Sequence, residues 1–176
     1  MFGHGRIGRY SMYQSGTYVV YGIQGVCRVV GTETQRVNRV RTEYLVLEPM
    51  VKQESKFYLP TGNPSAMAKL KPVLSQDEMK DLLSSAVVHT DCWIPEESRR
   101  KQRYRELVSS GDRGELLQML CSLYRHRETQ LAEGRKFHQS DDNFLRDTER
   151  LLSMEIALVL EMSSEDARTY LRQMLK

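Results

Sequence analysis

The chain has 176 residues, of which 40% are hydrophobic and 28% charged, with a formal net charge of +3, a balance that argues against a disordered or collagen-like protein. Its longest apolar run, residues 156–160, is far shorter than the roughly 20 residues of a bilayer-spanning helix. Residues 1–10 lack the apolar core of a secretory signal. We therefore expect a cytoplasmic protein with no membrane partner. Three widely spaced cysteines make a disulfide framework improbable.

The first residues carry a motif without its structural context. Residues 3–8 read Gly-His-Gly-Arg-Ile-Gly, which is the G-x-G-x-x-G fingerprint of dinucleotide-binding loops. That loop lies between a strand and a helix, but only two residues precede it, and residues 10–16 have no helical period. We therefore predict a flexible leader over residues 1–12, with Met12 as an alternative start, and expect no cofactor.

Residues 16–60 have the composition of short β-strands. β-Branched and aromatic residues are frequent, and Gly22 and Gly25 provide turn positions. The predicted strands lie at residues 17–21, 26–34, 43–47 and 57–59, with a polar connection at 37–41. Four or five strands in about 50 residues predict a small, strongly bent antiparallel sheet or barrel.

After Pro72 the apolar residues recur at helical spacing. Ser75 and Glu78 form a capping-box signature, which predicts a helix over residues 76–85. Further helices are predicted from near Pro95 to near Gly111, after the Asp112 cap, after a Ser140 cap with apolar residues from Phe144 on, and from a Ser163 or Ser164 cap to Leu175. The predicted fold class is α+β, a β-module over residues 13–72 followed by a bundle of four to five helices over residues 73–176.

Charge is divided unevenly between these two parts. Up to Pro72 there are 10 basic and 4 acidic residues, whereas from Val73 on there are 16 basic and 19 acidic ones. The basic excess of the β-rich part therefore requires an explanation, while the other part is simply charged and helical.

No catalytic or metal-binding motif emerges from the chain. His89 and Cys92 are three residues apart, but zinc needs three or four protein ligands and no second pair lies nearby. Cys27 and Cys121 have no His partner specified by the sequence, and no P-loop, Ser-His-Asp or paired-carboxylate pattern is present. We expect a protein that is not an enzyme and holds no metal.

The segment around the single tryptophan gives the strongest indication of function. Trp93 precedes a predicted helix that carries five cations, Arg99, Arg100, Lys101, Arg103 and Arg105, and an aromatic residue beside cations suits a nucleic-acid surface. At about 100° per residue, Tyr104, Leu107 and Val108 define the buried arc, and Arg100 falls close to it. Only part of the cluster can face one phosphate backbone. The alternative to a nucleic-acid surface is a solvent-exposed charged helix, with Trp93 packed into the helical bundle.

Specific strings, in their order along the chain, resemble the CarD/CdnL family of bacterial transcription regulators. The matching strings are Gly-Thr-Tyr-Val-Val-Tyr at 16–21 with Gly-Val at 25–26, Glu-Tyr-Leu-Val-Leu at 43–47, Phe-Tyr-Leu-Pro at 57–60, Leu-Lys-Pro-Val-Leu-Ser at 70–75, Glu-Leu-Val-Ser-Ser-Gly-Asp at 106–112, and a run from Ser140 to Glu-Ile-Ala at 155–157. The resemblance extends over residues 13–175.

This resemblance implies a non-catalytic regulator that binds RNA polymerase and promoter DNA together. A Tudor-like module, similar to one in transcription-repair coupling factors, would dock on the polymerase β lobe through its sheet edge, with contacts from Gln35, Arg36, Arg39, Arg41, Lys56 and Tyr58. The helical domain would contact DNA without sequence specificity at the upstream edge of the transcription bubble. There Trp93 would act as a minor-groove wedge that stabilises the open complex, with phosphate contacts from Arg99, Arg100, Lys101 and Arg103.

Two matters stay open at this point. A protein-interaction adaptor, with a buried Trp93 and no DNA contact, is the alternative function. The sequence also leaves the oligomeric state undetermined.

Overall fold

The computed structural model describes residues 13–51, 55–85 and 92–175. The chain divides into two compact units, one ending at Val73 and one beginning at Leu74. The expected leader, the glycine-rich motif within it and His89 lie outside the described residues. None of the described helices has the length and apolar character needed to cross a membrane.

The first unit is a five-stranded antiparallel sheet, which the second unit follows with helices, so the α+β class is confirmed. Its strands are β1 (Tyr18–Tyr21), β2 (Gly25–Val37), β3 (Val40–Pro49), β4 (Phe57–Pro60) and β5 (Leu70–Pro72). Their order across the sheet is β4-β3-β2-β1-β5, and every neighbouring pair is antiparallel. The two edges of the sheet are therefore β4 and β5.

The β2–β3 hairpin is longer than predicted. The expected connection at residues 37–41 is only the two residues Asn38 and Arg39, because β2 continues to Val37 and β3 begins at Val40. Both connecting residues have positive φ, 50° and 65°, as a type I′ turn requires, and asparagine tolerates that region. A two-residue turn keeps the strands paired to their ends, so the hairpin extends beyond the rest of the sheet.

One face of the sheet forms the core of the first unit. Alternate residues along each strand point to the same face, which places seven buried side chains together: Val19, Cys27, Val29, Leu45, Leu47, Leu59 and Leu70. The short helix α1 (Pro64–Met67), whose first turn is capped by Asn63, adds Met67 to this cluster. A register shift between Val29 and Gly31 in β2 interrupts the regular pairing of the sheet at that point.

The described residues of the second unit form five helices. They are α2 (Gln76–Ser85), α3 (Glu97–Ser110), α4 (Arg113–Ala132), α5 (Gln139–Val159) and α6 (Ser164–Met174). α5 packs against each of the other four and carries the largest set of buried residues. The buried face of α3 contains Tyr104, Leu107 and Val108, as the helical spacing predicts.

Three predicted helix starts are confirmed by their capping bonds. The Glu78 carboxylate accepts from the backbone N–H of Ser75 at 2.8 Å, while the Ser75 hydroxyl oxygen accepts from the N–H of Glu78 at 3.2 Å. Asp112 caps α4 and Ser163 caps α6 through the same kind of bond. α3 ends at Gly111, whose φ of 62° lies in the left-handed region that glycine adopts without strain.

Two predicted helix starts differ from the structure by about two residues. α3 begins at Glu97, two residues after Pro95, and the carbonyls of Ile94 and Pro95 accept from the Arg100 guanidinium. α5 begins at Gln139, before the predicted cap Ser140, because the His138 carbonyl already accepts the first helical hydrogen bond. Ser140 is thus inside the helix, and its hydroxyl is buried without a hydrogen-bond partner among the described residues.

Candidate functional site

Trp93 lies in the segment of the second unit that leads into α3, and its side chain is half-buried. Its ring stacks on that of His126 in α4, with centroids 3.5 Å apart and planes inclined by 18°. The Arg100 guanidinium lies over the same ring, 4.3 Å from its centroid. Stacking and cation–π contacts of this kind hold an aromatic ring in one orientation. Trp93 is consequently a positioned side chain, with part of its surface still open to solvent.

Arg100 is removed from the expected phosphate contacts. Its exposure is 3%, and it makes two charge-assisted hydrogen bonds to the Asp141 carboxylate, each 2.9 Å long. Its remaining donors reach the carbonyls of Ile94 at 2.8 Å and Pro95 at 3.1 Å. The buried guanidinium therefore fixes the segment that carries Trp93, and it is not accessible to a phosphate.

The other three expected phosphate contacts are accessible. The side chains of Arg99, Lys101 and Arg103 are 77%, 31% and 47% exposed. Each is paired with a carboxylate: Arg99 with Glu96, Lys101 with Glu97, and Arg103 with Glu115. The hydrogen bond from Lys101 lowers the pKa of Glu97, so that carboxylate is ionised at neutral pH. Exposed pairs of this kind are weak, and a phosphate can replace the carboxylate at little cost.

The structure adds residues that the sequence analysis did not select. Phe137, in the connection between α4 and α5, lies 6.3 Å from the His126 ring centroid. Arg135 and Lys136 precede it directly and are exposed. An aromatic residue beside two cations is the same signal that identified Trp93, so this group could have been found from the sequence. We call Trp93, His126, Phe137, Arg135 and Lys136 the aromatic–basic surface.

The expected polymerase contacts of the first unit form two groups. The first group lies at the hairpin tip, where Arg39 occupies the turn, Arg36 is directly opposite Arg41, and Gln35 is opposite Thr42. All four predicted side chains, Gln35, Arg36, Arg39 and Arg41, are exposed. Two exposed valines, Val37 and Val40, flank the turn with 46% and 62% exposure. The tip therefore combines three cations with a small apolar patch.

The second group lies at the edge of the sheet. Tyr58, in β4, is 42% exposed and makes an edge-to-face contact with Tyr44, with centroids 6.4 Å apart. Lys56 precedes β4 and is exposed. Tyr58 pairs with Val46, five residues along β3 from Arg41, which corresponds to about 17 Å. The two groups are separate contact regions on one sheet.

Potential metal ligands and the Cys27 thiol both bear on the chemistry of the described part of the chain. No three His, Cys, Asp or Glu side chains among residues 13–51, 55–85 and 92–175 lie close enough together to hold a metal ion. Burial raises the pKa of the Cys27 thiol to about 11, so this cysteine stays protonated at neutral pH.

Comparison with protein families gives a match in the first unit. Residues 13–71 match the family model of the CarD-like/TRCF RID domain, which confirms the resemblance over this part of the chain. The match covers β1 to β4 and most of β5 and does not extend into the second unit. No curated protein matches the chain.

Proposed function

We propose that the first unit, whose residues 13–71 match the CarD-like/TRCF RID domain, binds the β lobe of bacterial RNA polymerase while the helical unit contacts promoter DNA at the upstream edge of the bubble. This DNA contact would stabilise the open complex. The observation that carries the proposal is the domain match, which coincides with a sheet whose edge strand β4 is free to accept a partner strand.

The edge strand supplies the first contact. Among residues 13–51, 55–85 and 92–175, β4 pairs only with β3, so its outer backbone N–H and C=O groups would be available to a strand of the polymerase lobe. Such strand addition gives affinity through backbone hydrogen bonds, and exposed side chains select the partner. Tyr58 is the exposed aromatic residue of this strand and is well suited to be an interface anchor.

The hairpin tip supplies the second contact. Arg36, Arg39 and Arg41 have no ion pair in the described part of the chain, and all three are exposed. Their charge accounts for much of the basic excess of the first unit. Unpaired cations at the end of a projecting hairpin favour an acidic surface on the partner and accelerate association.

The aromatic–basic surface supplies the proposed DNA contact. His126 and Arg100 hold the Trp93 ring in one orientation, and the part of its surface that they leave open to solvent would contact a partly unstacked base step. Arg99, Lys101 and Arg103 on α3, together with Arg135 and Lys136 beside Phe137, are the solvent-accessible cations that would contact phosphates. These groups recognise phosphate and carry no base-reading geometry, so binding is expected to be weak and independent of sequence.

One observation favours a second function, a protein-interaction adaptor without DNA contact. Trp93 already contacts two side chains of its own unit, and each nearby cation of α3 has a carboxylate partner. An adaptor would use the sheet unit in the same way and the helices as scaffold. The two functions differ only in what the second unit contacts.

The polymerase contact is tested by measuring the affinity of the full chain for the isolated β lobe. Tyr58→Ala should weaken binding at least about tenfold, as expected for an aromatic anchor. Tyr18→Ala is the matched control, because Tyr18 is 38% exposed on β1, which is not an edge strand. No capture of the lobe by the folded wild-type chain would refute the polymerase contact.

The DNA contact is tested by the lifetime of open complexes formed with polymerase and the chain. Trp93→Ala should shorten the lifetime, and so should Arg135→Glu combined with Lys136→Glu. Direct binding to a forked duplex should fall about 40-fold between 50 and 200 mM salt if about three phosphates are contacted. Unchanged lifetimes in all variants that still bind the β lobe would establish the adaptor instead.

A further inference from the structure

A second feature of the helical unit lies away from the aromatic–basic surface. A cavity of about 550 Å³ opens between the carboxyl-terminal half of α4 and α6 and is lined by Tyr124, Arg125, Arg127, Glu128, Arg172 and Leu175. At about 100° per residue, the four lining residues of α4 are centred on the side of that helix opposite His126. The cavity is therefore separate from the Trp93 stack.

One buried carboxylate organises a wall of this cavity. Glu149 of α5 is 5% exposed, and it accepts two hydrogen bonds from the Arg172 guanidinium, one of them 2.9 Å long. It also accepts a hydrogen bond from the Tyr124 hydroxyl. Burial alone would raise the pKa of Glu149, but the bonds from Arg172 and Tyr124 outweigh burial and lower it, so the group is ionised. Both lining side chains are thus held in place before any ligand arrives.

Apart from the Glu149–Arg172 ion pair, the charged residues that line the cavity have a net positive charge. Arg125 and Arg127 are exposed and have no ion pair among the described residues. Glu149 is already satisfied by Arg172 and Tyr124, which leaves Glu128 as the single acidic residue in the lining. Two free guanidinium groups beside a cavity favour an anion, and guanidinium geometry matches phosphate oxygens in particular.

The shape of the cavity indicates the kind of anion. Its volume lies within the range of about 300–1,000 Å³ that is usual for small-molecule sites. The Tyr124 ring and Leu175 contribute aromatic and aliphatic surface beside the arginines. We propose that this cavity binds a phosphate-bearing small molecule of nucleotide size, with its phosphates on Arg125 and Arg127 and its apolar part against Tyr124 and Leu175. This site does not depend on the proposed binding to polymerase or DNA.

The experiment is calorimetric titration of the full chain with inorganic pyrophosphate and then with ATP. Arg125→Ala combined with Arg127→Ala should weaken both affinities at least about tenfold, since a hydrogen bond to a charged group is worth that much or more. ATP should bind more tightly than pyrophosphate because only ATP has a base to place against Tyr124. Arg105→Ala, an exposed arginine on α3, is the matched control and should stay within twofold.

Three results would overturn the proposal. The first is no saturable binding of either probe to the folded wild-type chain. The second is equal loss of affinity in the control, which would mean diffuse attraction to positive charge. The third is loss of duplex DNA binding in the double variant while neither probe binds the wild-type chain, which would make this face a nucleic-acid contact.

Discussion

Removal of the Asp141 carboxylate should strongly destabilise the helical unit. Asp141 is 1% exposed and Arg100 is 3% exposed, and two 2.9 Å hydrogen bonds join them. Asp141→Ala leaves the guanidinium buried without its counterion, and breaking a buried pair in this way costs about 3–5 kcal/mol. That is a large fraction of the 5–15 kcal/mol by which a typical domain is stable.

Urea unfolding of the full chain measures this loss directly. Trp93 is the single tryptophan of the chain, and it contacts Arg100, so its fluorescence reports on the helical unit alone. With a slope of about 2 kcal/mol per molar urea, the midpoint should fall by about 1.5–2.5 M. The emission should also shift to longer wavelength in the native state, because the segment that Arg100 holds becomes looser.

Asp142→Ala is the matched control for this substitution. Asp142 is the next residue of the same helix and pairs with Arg146, whose side chain is 63% exposed. Such an i,i+4 pair contributes only about 0.3–0.5 kcal/mol. The reasoning also requires that Arg100→Met combined with Asp141→Leu be far more stable than Asp141→Ala, because no buried charge then lacks a partner. A midpoint for Asp141→Ala equal to that of Asp142→Ala would refute it.

Three further predictions follow from local geometry. Gly111→Ala should lower the unfolding free energy by about 1 kcal/mol in urea titrations, because φ at this position is 62°. The pKa of Glu78 is lowered chiefly by the hydrogen bond that its carboxylate accepts from the Ser75 backbone. The stability that this bond contributes is therefore present above the ordinary glutamate pKa and is lost as the pH falls through the lowered value. The difference in unfolding free energy between wild type and Glu78→Gln should accordingly shrink in acid. In the native chain at pH 8, Cys92 should be the one thiol that reacts rapidly with a disulfide reagent, because Cys27 is buried with a pKa of about 11.

Local signals in the sequence predict most of the secondary structure. The capping residues Ser75, Asp112 and Ser163 each act within three residues of the amide they cap, so no tertiary information is needed to recognise them. The start of α3 depends instead on a residue that is distant in the sequence. The start of α3 is displaced because Arg100 occupies the carbonyls of Ile94 and Pro95, and that arginine is itself held by a carboxylate 41 residues away.

In the candidate site, too, local features could be predicted from the sequence and contacts between distant segments could not. Helical spacing places Arg100 close to the buried arc, and the structure buries it, whereas the resemblance implied a phosphate contact. The stack of His126 on Trp93 could not be predicted, because it joins segments that are adjacent only after α3 and α4 have packed. The two groups of expected polymerase contacts are separated because β4 pairs with the far part of β3, a register that the sequence does not specify.

The long hairpin also bears on how copies of this chain behave toward one another. In the described part of the chain, β2 pairs with β3 alone from Gly31 to Val37, and residues 40–42 of β3 have only β2 as a neighbour. No described strand therefore covers either outer edge of the hairpin. Open edges are templates for edge-to-edge aggregation. Arg36 lies directly opposite Arg41, a like-charge pair that weakens the hairpin itself. The same two cations oppose the approach of the matching pair on a second hairpin, and salt should screen this repulsion.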